Sequence, residues 1–469
     1  MNAVKFASFL IILLLAFSAK AQDSLKTLSA GQVMEIVKQF HPMAKQADIF
    51  VDKAKADVTS ARGLFDPVLK NEMAEKTFDG TNYYSYNRPE LIIPTWFGME
   101  VSAGLENLSG SRTPPEETQG KTSYVGISIP LAKNLLIDKR RAVLQTAKIL
   151  EDASAVEKRT ILNTLLLDAM NSYWNWAKQY QIYNILTDAV KVNEKRVGFT
   201  KTAFRLGDRP AIDTTEALAQ LQNFELLKSQ ALLDFQNAGL ELSLFMWTGN
   251  AQPYTLTLDI VPADDIQLKN IAAAQLPELN NLLQDALENH PDLLIYNYKL
   301  DVLSVEKRLK FQDLLPTVNF RYNQLGKGYD VPQIGPFFEN NYQYGLSLAI
   351  PLRLSQGRGE YRKAKLKITE TQLQQREKQW QVENKVKSYF NELMALKSQV
   401  ALQEKALKNY QLLQRGEEIR FQAGESSLFL INSRENKTLE ALQKLQDLKV
   451  KYYKTENSLQ WAAGRLIPY

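Results

Sequence analysis

The chain has 469 residues, 45% hydrophobic and 23% charged, proportions ordinary for a folded protein, with a net charge of +5 and no cysteine. So small a positive balance excludes the basic footprint of a nucleic-acid binder. The missing cysteines exclude disulfides and lipid attachment at an N-terminal cysteine.

The first residues read as an export signal. Lys5 is the basic part, residues 6–17 form an apolar core, and Ala19-Lys20-Ala21 is an A-x-A cleavage site. Residues 1–21 are therefore expected to be removed, leaving a mature chain that starts at Gln22. The apolar run is shorter than the ~20 residues of a spanning helix. Without Lys5 and Lys20, 55 basic residues face 52 acidic ones. No later stretch is long and apolar enough to span as a helix, which leaves a periplasmic, secreted or outer-membrane β-barrel protein.

The remaining sequence divides into two copies of one unit, 22–254 and 281–469, joined by a linker over 255–280. Each copy opens on a His-Pro pair, His41-Pro42 and His290-Pro291, at an offset of 249. A helical pattern follows and stops at Pro67 or Pro316. Strand-like runs come next, at 68–78, 97–108 and 123–131 within 66–131, and at 317–325 and 342–352 within 316–352. In the last run Gly345, Ser347 and Ala349 share one face and Leu346, Leu348 and Ile350 the other. That alternation fits a lipid-facing barrel strand and equally a half-buried strand of a soluble sheet. Tyr83, Tyr84, Tyr86 and Trp96 fit either an aromatic girdle or a loop. Both copies then read Ile-Pro-Leu, ending at Leu131 and Leu352. The offset there is 221, so the first copy holds 28 extra residues, which fall in the Gly-, Pro- and Ser-rich stretch 80–120. Helices that leave and return on one side require an even number of crossings, so two strands per copy and four per chain are expected.

After Ile-Pro-Leu each copy shows a helical pattern of about 65 residues, ~100 Å at 1.5 Å per residue. Its apolar seam is heptad-like: Val382, Val386, Tyr389, Leu393, Leu396, Val400, Leu407 and Tyr410. The corresponding positions of the first copy are Leu162, Leu166, Ala169, Tyr173, Trp176, Tyr180, Thr187 and Val190. Such seams favour left-handed helix packing. Each long helix ends in an aromatic-x-x-Gly tip followed by a small polar turn. These are Phe204, Gly207, Asp208, Arg209 and Asp213 near 204–213, and Phe421, Gly424, Glu425 and Ser426 near 421–430. The glycines are helix stops of the left-handed type, and a second helix then runs back. The charged tip residues are candidates for reversible ion pairs between neighbouring hairpins, which salt would weaken.

Four strands cannot close a barrel, since the smallest outer-membrane barrels have eight, and open edges in lipid would stay unsatisfied. Several chains must then share one barrel, and three would supply twelve strands. The Gly tips, the Ile-Pro-Leu after a strand, the tandem copies and the closing small-x-x-x-Gly resemble the TolC family of outer-membrane efflux and secretion ducts, over residues 22–469. The resemblance implies a mainly α fold with membrane β, in which two tandem helix-strand-helix repeats form a trimeric α-helical barrel through the periplasm. A shared twelve-stranded outer-membrane β-barrel tops it. It also implies tips that close the tunnel and dock a periplasmic adaptor (a membrane fusion protein) bound to an inner-membrane RND or ABC transporter, for efflux or type I secretion. Asp213 matches the family's frequent Asp six residues after the Gly, whereas Leu430 departs from it. The competing reading, a soluble periplasmic coiled-coil adaptor or scaffold, would normally carry one hairpin between β-rich domains.

Bond-making chemistry finds no foothold. His41 and His290 hold equivalent places in the repeat and read as helix punctuation. There is no Cys nucleophile, phosphate-binding Gly loop or G-x-S-x-G elbow. The pairs Glu116-Glu117 and Glu417-Glu418 are expected to be solvated surface. Neither enzyme activity nor a cofactor or metal is expected.

Overall fold

The computed structural model describes residues 26–466 apart from 115–116, 265–269 and 334. The export signal, Glu116 and the C-terminal Pro468-Tyr469 lie outside the described residues. In chain order the elements are β1 (Lys26–Leu28), α1 (Ala30–Phe40), α2 (Pro42–Arg62), β2 (Val68–Phe78), β3 (Thr81–Pro94), β4 (Glu100–Ser109), β5 (Gly120–Pro130), α3 (Lys139–Arg205) and α4 (Ala211–Ser243). They continue with β6 (Ile260–Pro262), α5 (Leu279–Asn289), α6 (Pro291–Gln312), β7 (Thr317–Lys327), β8 (Tyr342–Ala349), α7 (Ser355–Gln422) and α8 (Leu428–Ala462).

α3 and α7 run 67 and 68 residues, ~100 Å each. Neither contains proline, so no backbone donor is missing along either. The heptad seam is the buried face: Leu166, Ala169, Tyr173 and Trp176 of α3 and Val382, Val386, Leu393 and Leu396 of α7 join one core. Tyr453 of α8 closes it, stacked on Trp174 at 4.5 Å between ring centroids. The short helices α1 and α5 lie against the same core through Val33, Val37, Leu282 and Ala286. The stretch 255–280 is also drawn in: β6 pairs parallel with β1, and Ile271 is buried in the core.

His41 and His290 each stand between two helices. Each backbone N–H closes the preceding helix, onto the carbonyls of Val37 and Ala286. Each Nδ1 accepts from the next helix, from Met43 N at 3.1 Å and Asp292 N at 3.2 Å, with Pro at the first helical position. An acceptor at Nδ1 requires the neutral ring. Burial pushes both imidazoles below the usual 6.5; the Leu244 backbone partly opposes this at His41. At His290 Asp292 opposes it, while Lys378, Lys385 and Arg159 reinforce it. A depressed folded value means the unfolded chain takes the proton first. The stabilisation is therefore complete above 6.5 and is lost as pH falls through the depressed values. We expect thermal midpoints to drop with acid more steeply in the native chain than in a His41→Asn, His290→Asn variant, whose caps do not titrate. Equal slopes would remove the histidines from the account.

The sheet corrects the expected strand count. Six strands, not four, form one antiparallel sheet in the order β2-β3-β4-β5-β7-β8. The unexpected strand is β3, in the stretch set aside as insertion. It turns out of β2 through Asp79 and Gly80 at φ 49° and 70°, the two left-handed residues of a tight hairpin. Its 14 residues pair with β2 on one side and β4 on the other.

The two faces of this sheet differ in kind. Lys70, Glu90, Glu106, Tyr124 and Arg321 share the polar face. There Arg88 holds Glu106 and Glu117 at 3.0 Å each, and Lys70 holds Glu90 at 2.8 Å. On the opposite face Leu91, Ala103, Leu105 and Val125 lie in neighbouring register, and Leu346 and Leu348 of β8 are exposed. The aromatics expected as one girdle are split. Tyr86 bonds Glu72 on the polar face, and Trp96 stacks on Phe65 at the start of the sheet. The aromatic cluster that does form is Tyr322, Phe338, Tyr342 and Tyr344, at the far end of β7 and β8.

Candidate functional site

The two helical tips are built alike. α3 and α7 stop at glycines with φ 80°, and the residue after each glycine donates five residues back: Asp208 N to Ala203 O and Glu425 N to Arg420 O, both 2.9 Å. This is the Schellman closure, in which only glycine meets the left-handed position without strain. No atom lies within 4 Å of a Cβ built on Gly207 or Gly424, so the restriction there is conformational alone.

The return helices start differently. Ser427 caps α8 by accepting from Leu430 N. α4 starts after Pro210 with no side-chain cap, and Asp213 occupies its first turn. Phe204, Leu206, Ile212 and Phe429 leave apolar surface exposed around both turns.

Arg209 brings the two tips together. Its guanidinium sits 3.9 Å from the centroid of the Phe421 ring and donates to the Phe421 carbonyl at 2.9 Å, while its own-tip partner Asp213 lies at 3.7 Å. The inter-tip link is therefore a cation on a ring and on a carbonyl, where an ion pair was expected. Among the described residues no ion pair engages Asp208 or Glu425. Ser426 donates to Glu417, whose side chain is only 8% exposed and lies 3.7 Å from Arg420 and 3.9 Å from Arg434. Glu417 is thus interior, against the solvated reading of the Glu417-Glu418 pair. It faces the neighbouring helix, and two guanidiniums and a hydroxyl replace its water.

A cluster about two turns above the tips was invisible in the sequence. Arg196 of α3 grips Glu435 of α8 through both carboxylate oxygens, at 2.6 and 3.2 Å. Asn193 adds a donor to Glu435 at 3.0 Å, and Asn432 donates to Glu216 of α4 at 3.1 Å. All lie on helices rich in similar residues, and no local pattern separates Glu435 from its exposed neighbour Glu440.

Comparison with known proteins bears on the whole arrangement. Residues 282–465 match the family model described as outer membrane efflux protein. A search of curated protein sequences gives no match. Among solved structures, the chain is similar to VceC, an outer membrane protein of Vibrio cholerae, at 15% identity and a TM-score of 0.64, covering 93% of this chain and 96% of that one. It is similar to the CmeC outer membrane channel of Campylobacter jejuni at 14% identity and TM-score 0.62, over 93% and 86% of the two chains. It is also similar to the MtrE outer membrane channel of Neisseria gonorrhoeae at 12% identity and TM-score 0.62, over 93% and 89%. Residues 282–465 thus form an outer membrane efflux protein domain, within a chain that has the fold of TolC-type outer-membrane channels.

Proposed function

We propose that this protein is an integral outer-membrane duct that passes substrates passively out of the cell. The observation that carries this reading is the two-faced sheet, apolar on one side and charged on the other, with two free edges at β2 and β8. Such a sheet is stable in lipid only when other copies close it into a barrel around a wet lumen. The chain acts as a homotrimer made of two tandem repeats, 22–254 and 281–469, exported by the cleaved signal 1–21. Its helices hang ~100 Å from the sheet into the periplasm. The tips at 204–213 and 421–430 form the mouth, and their exposed apolar residues dock a periplasmic adaptor that joins an RND or ABC transporter in efflux or type I secretion. The work is supplied by that pump, and the duct itself makes and breaks no bonds. Native mass spectrometry of protein extracted from outer-membrane fractions is expected to give trimers. A monomer found in the soluble periplasmic fraction would overturn the reading.

A further inference from the structure

We infer that each chain gives six strands to the shared barrel, so that three copies close one of eighteen strands; this rests on the outer-membrane reading above. The question is whether β3 and β4 cross the membrane or stand outside it as an extracellular flap. A flap would put the β3–β4 turn far from the helices. Instead residues 95–99 sit against them. Trp96 stacks on Phe65, at the end of the α2 segment, with 4.8 Å between centroids. Glu100 takes an ion pair from Arg140, in the first turn of α3, at 2.7 Å. A Cβ on Gly98 would come within 2.7 Å of the Arg141 guanidinium. Both β3 and β4 therefore run the full height of the sheet, from the helix side outward.

Their length and faces agree. β3 and β4 have 14 and 10 residues, against the ~9–11 a tilted spanning strand needs. Leu91 pairs with Ala103, and Ala103 with Val125, so β3 and β4 continue the apolar band of β5 at one height. On the other face, the Arg88–Glu106 pair joins β3 to β4 among groups that require water.

The helices supply an independent measure. Four of them, α2, α3, α6 and α7, meet the sheet in each chain. At interaxial distances of 8–10 Å they occupy ~32–40 Å of wall. Six strands about 4.8 Å apart and tilted ~40° occupy roughly 38 Å, whereas four occupy roughly 25 Å. Six strands therefore stand on this helical wall without the barrel having to narrow. Closure then needs β8 of one copy to pair antiparallel with β2 of the next. The bore is about one and a half times that of a twelve-stranded barrel, since diameter grows roughly linearly with strand number, and admits correspondingly bulkier cargo.

The absence of native cysteine makes the test direct. Single variants Leu91→Cys, Ala103→Cys, Val125→Cys and Ser102→Cys are expressed in whole cells and treated with a membrane-impermeant maleimide, with a lipid-soluble one as control. Leu91→Cys and Ala103→Cys are expected to lose impermeant labelling to the same extent as Val125→Cys on β5, while Ser102→Cys on the polar face is labelled. A density map of the detergent-extracted native chain is expected to show eighteen strands, which keeps the test independent of any variant that fails to assemble. Protection of Val125→Cys with full labelling at positions 91 and 103, or a map with twelve strands, overturns the six-strand inference and leaves the duct standing. Full impermeant labelling of Val125→Cys as well overturns both.

Discussion

Glu435→Ala is expected to destabilise the folded chain by about 3–5 kcal/mol, the usual cost of removing one partner from a buried ion pair. The size of the effect follows from what stays behind. Arg196 and Glu435 are only 11% and 8% exposed, and the guanidinium cannot shed its charge. Without the carboxylate it faces Asn193 and the Asn432 oxygen, neither of which neutralises it. The same pair joins α3 to α8, so the loss should loosen one hairpin from the other as well as lower the melting temperature. Glu440→Ala is the control on the same helix. That carboxylate pairs with Lys437 at 2.8 Å, but both side chains are more than half exposed, and surface pairs contribute ~0–1 kcal/mol. Replacing both members by apolar residues, as in Arg196→Met with Glu435→Leu, should recover most of the stability, because no orphaned charge remains. Thermal unfolding and hydrogen exchange of α8 amides would measure all three. Equal effects at Glu435 and Glu440 would mean that the buried pair contributes no more than a surface one.

How far the sequence carried this fold depends on the range of the interaction involved. Helix ends are local, and both Gly tips and both His-Pro junctions lie where residues 41–42, 207, 290–291 and 424 indicate. The buried seam is nearly as local, because a heptad exposes its period within one helix. β3 failed for a physical reason: Pro89, Pro94 and the surrounding Asn and Gly residues carry loop composition, and proline is disfavoured inside sheets. Yet Asp79-Gly80 is among the strongest short hairpin signals, and both residues take the left-handed backbone that such a turn requires. The interior charges were out of reach. Glu417 and Glu435 gain their partners from helices whose packing only the assembled hairpins define, and as single letters they match any solvated glutamate.

Arg209→Ala is expected to open the channel mouth that we propose at the tips. It removes at once the cation on the Phe421 ring, the donor to the Phe421 carbonyl and the partner of Asp213. A partly desolvated cation–π contact and a charged hydrogen bond are together worth ~2–4 kcal/mol. That shifts a closed-to-open equilibrium by roughly thirtyfold to nearly a thousandfold. Arg209→Lys should restore little, since an ammonium cannot both stack flat on the ring and reach the carbonyl as a fork. Because the link ends on a ring and a carbonyl rather than a carboxylate, salt should open the native tips less than it would a ring of exposed ion pairs. Gly207→Val tests the tip by another route. No atom lies within 4 Å of the added Cβ, so the left-handed backbone sets a cost of ~1–2 kcal/mol. Single-channel recordings in planar bilayers, and entry into cells of a hydrophilic dye that intact outer membranes exclude, report the result. Both should rise in Arg209→Ala and, less strongly, in Gly207→Val. Unchanged conductance and dye entry in Arg209→Ala would show that the Arg209–Phe421 contact joins the hairpins without closing the channel.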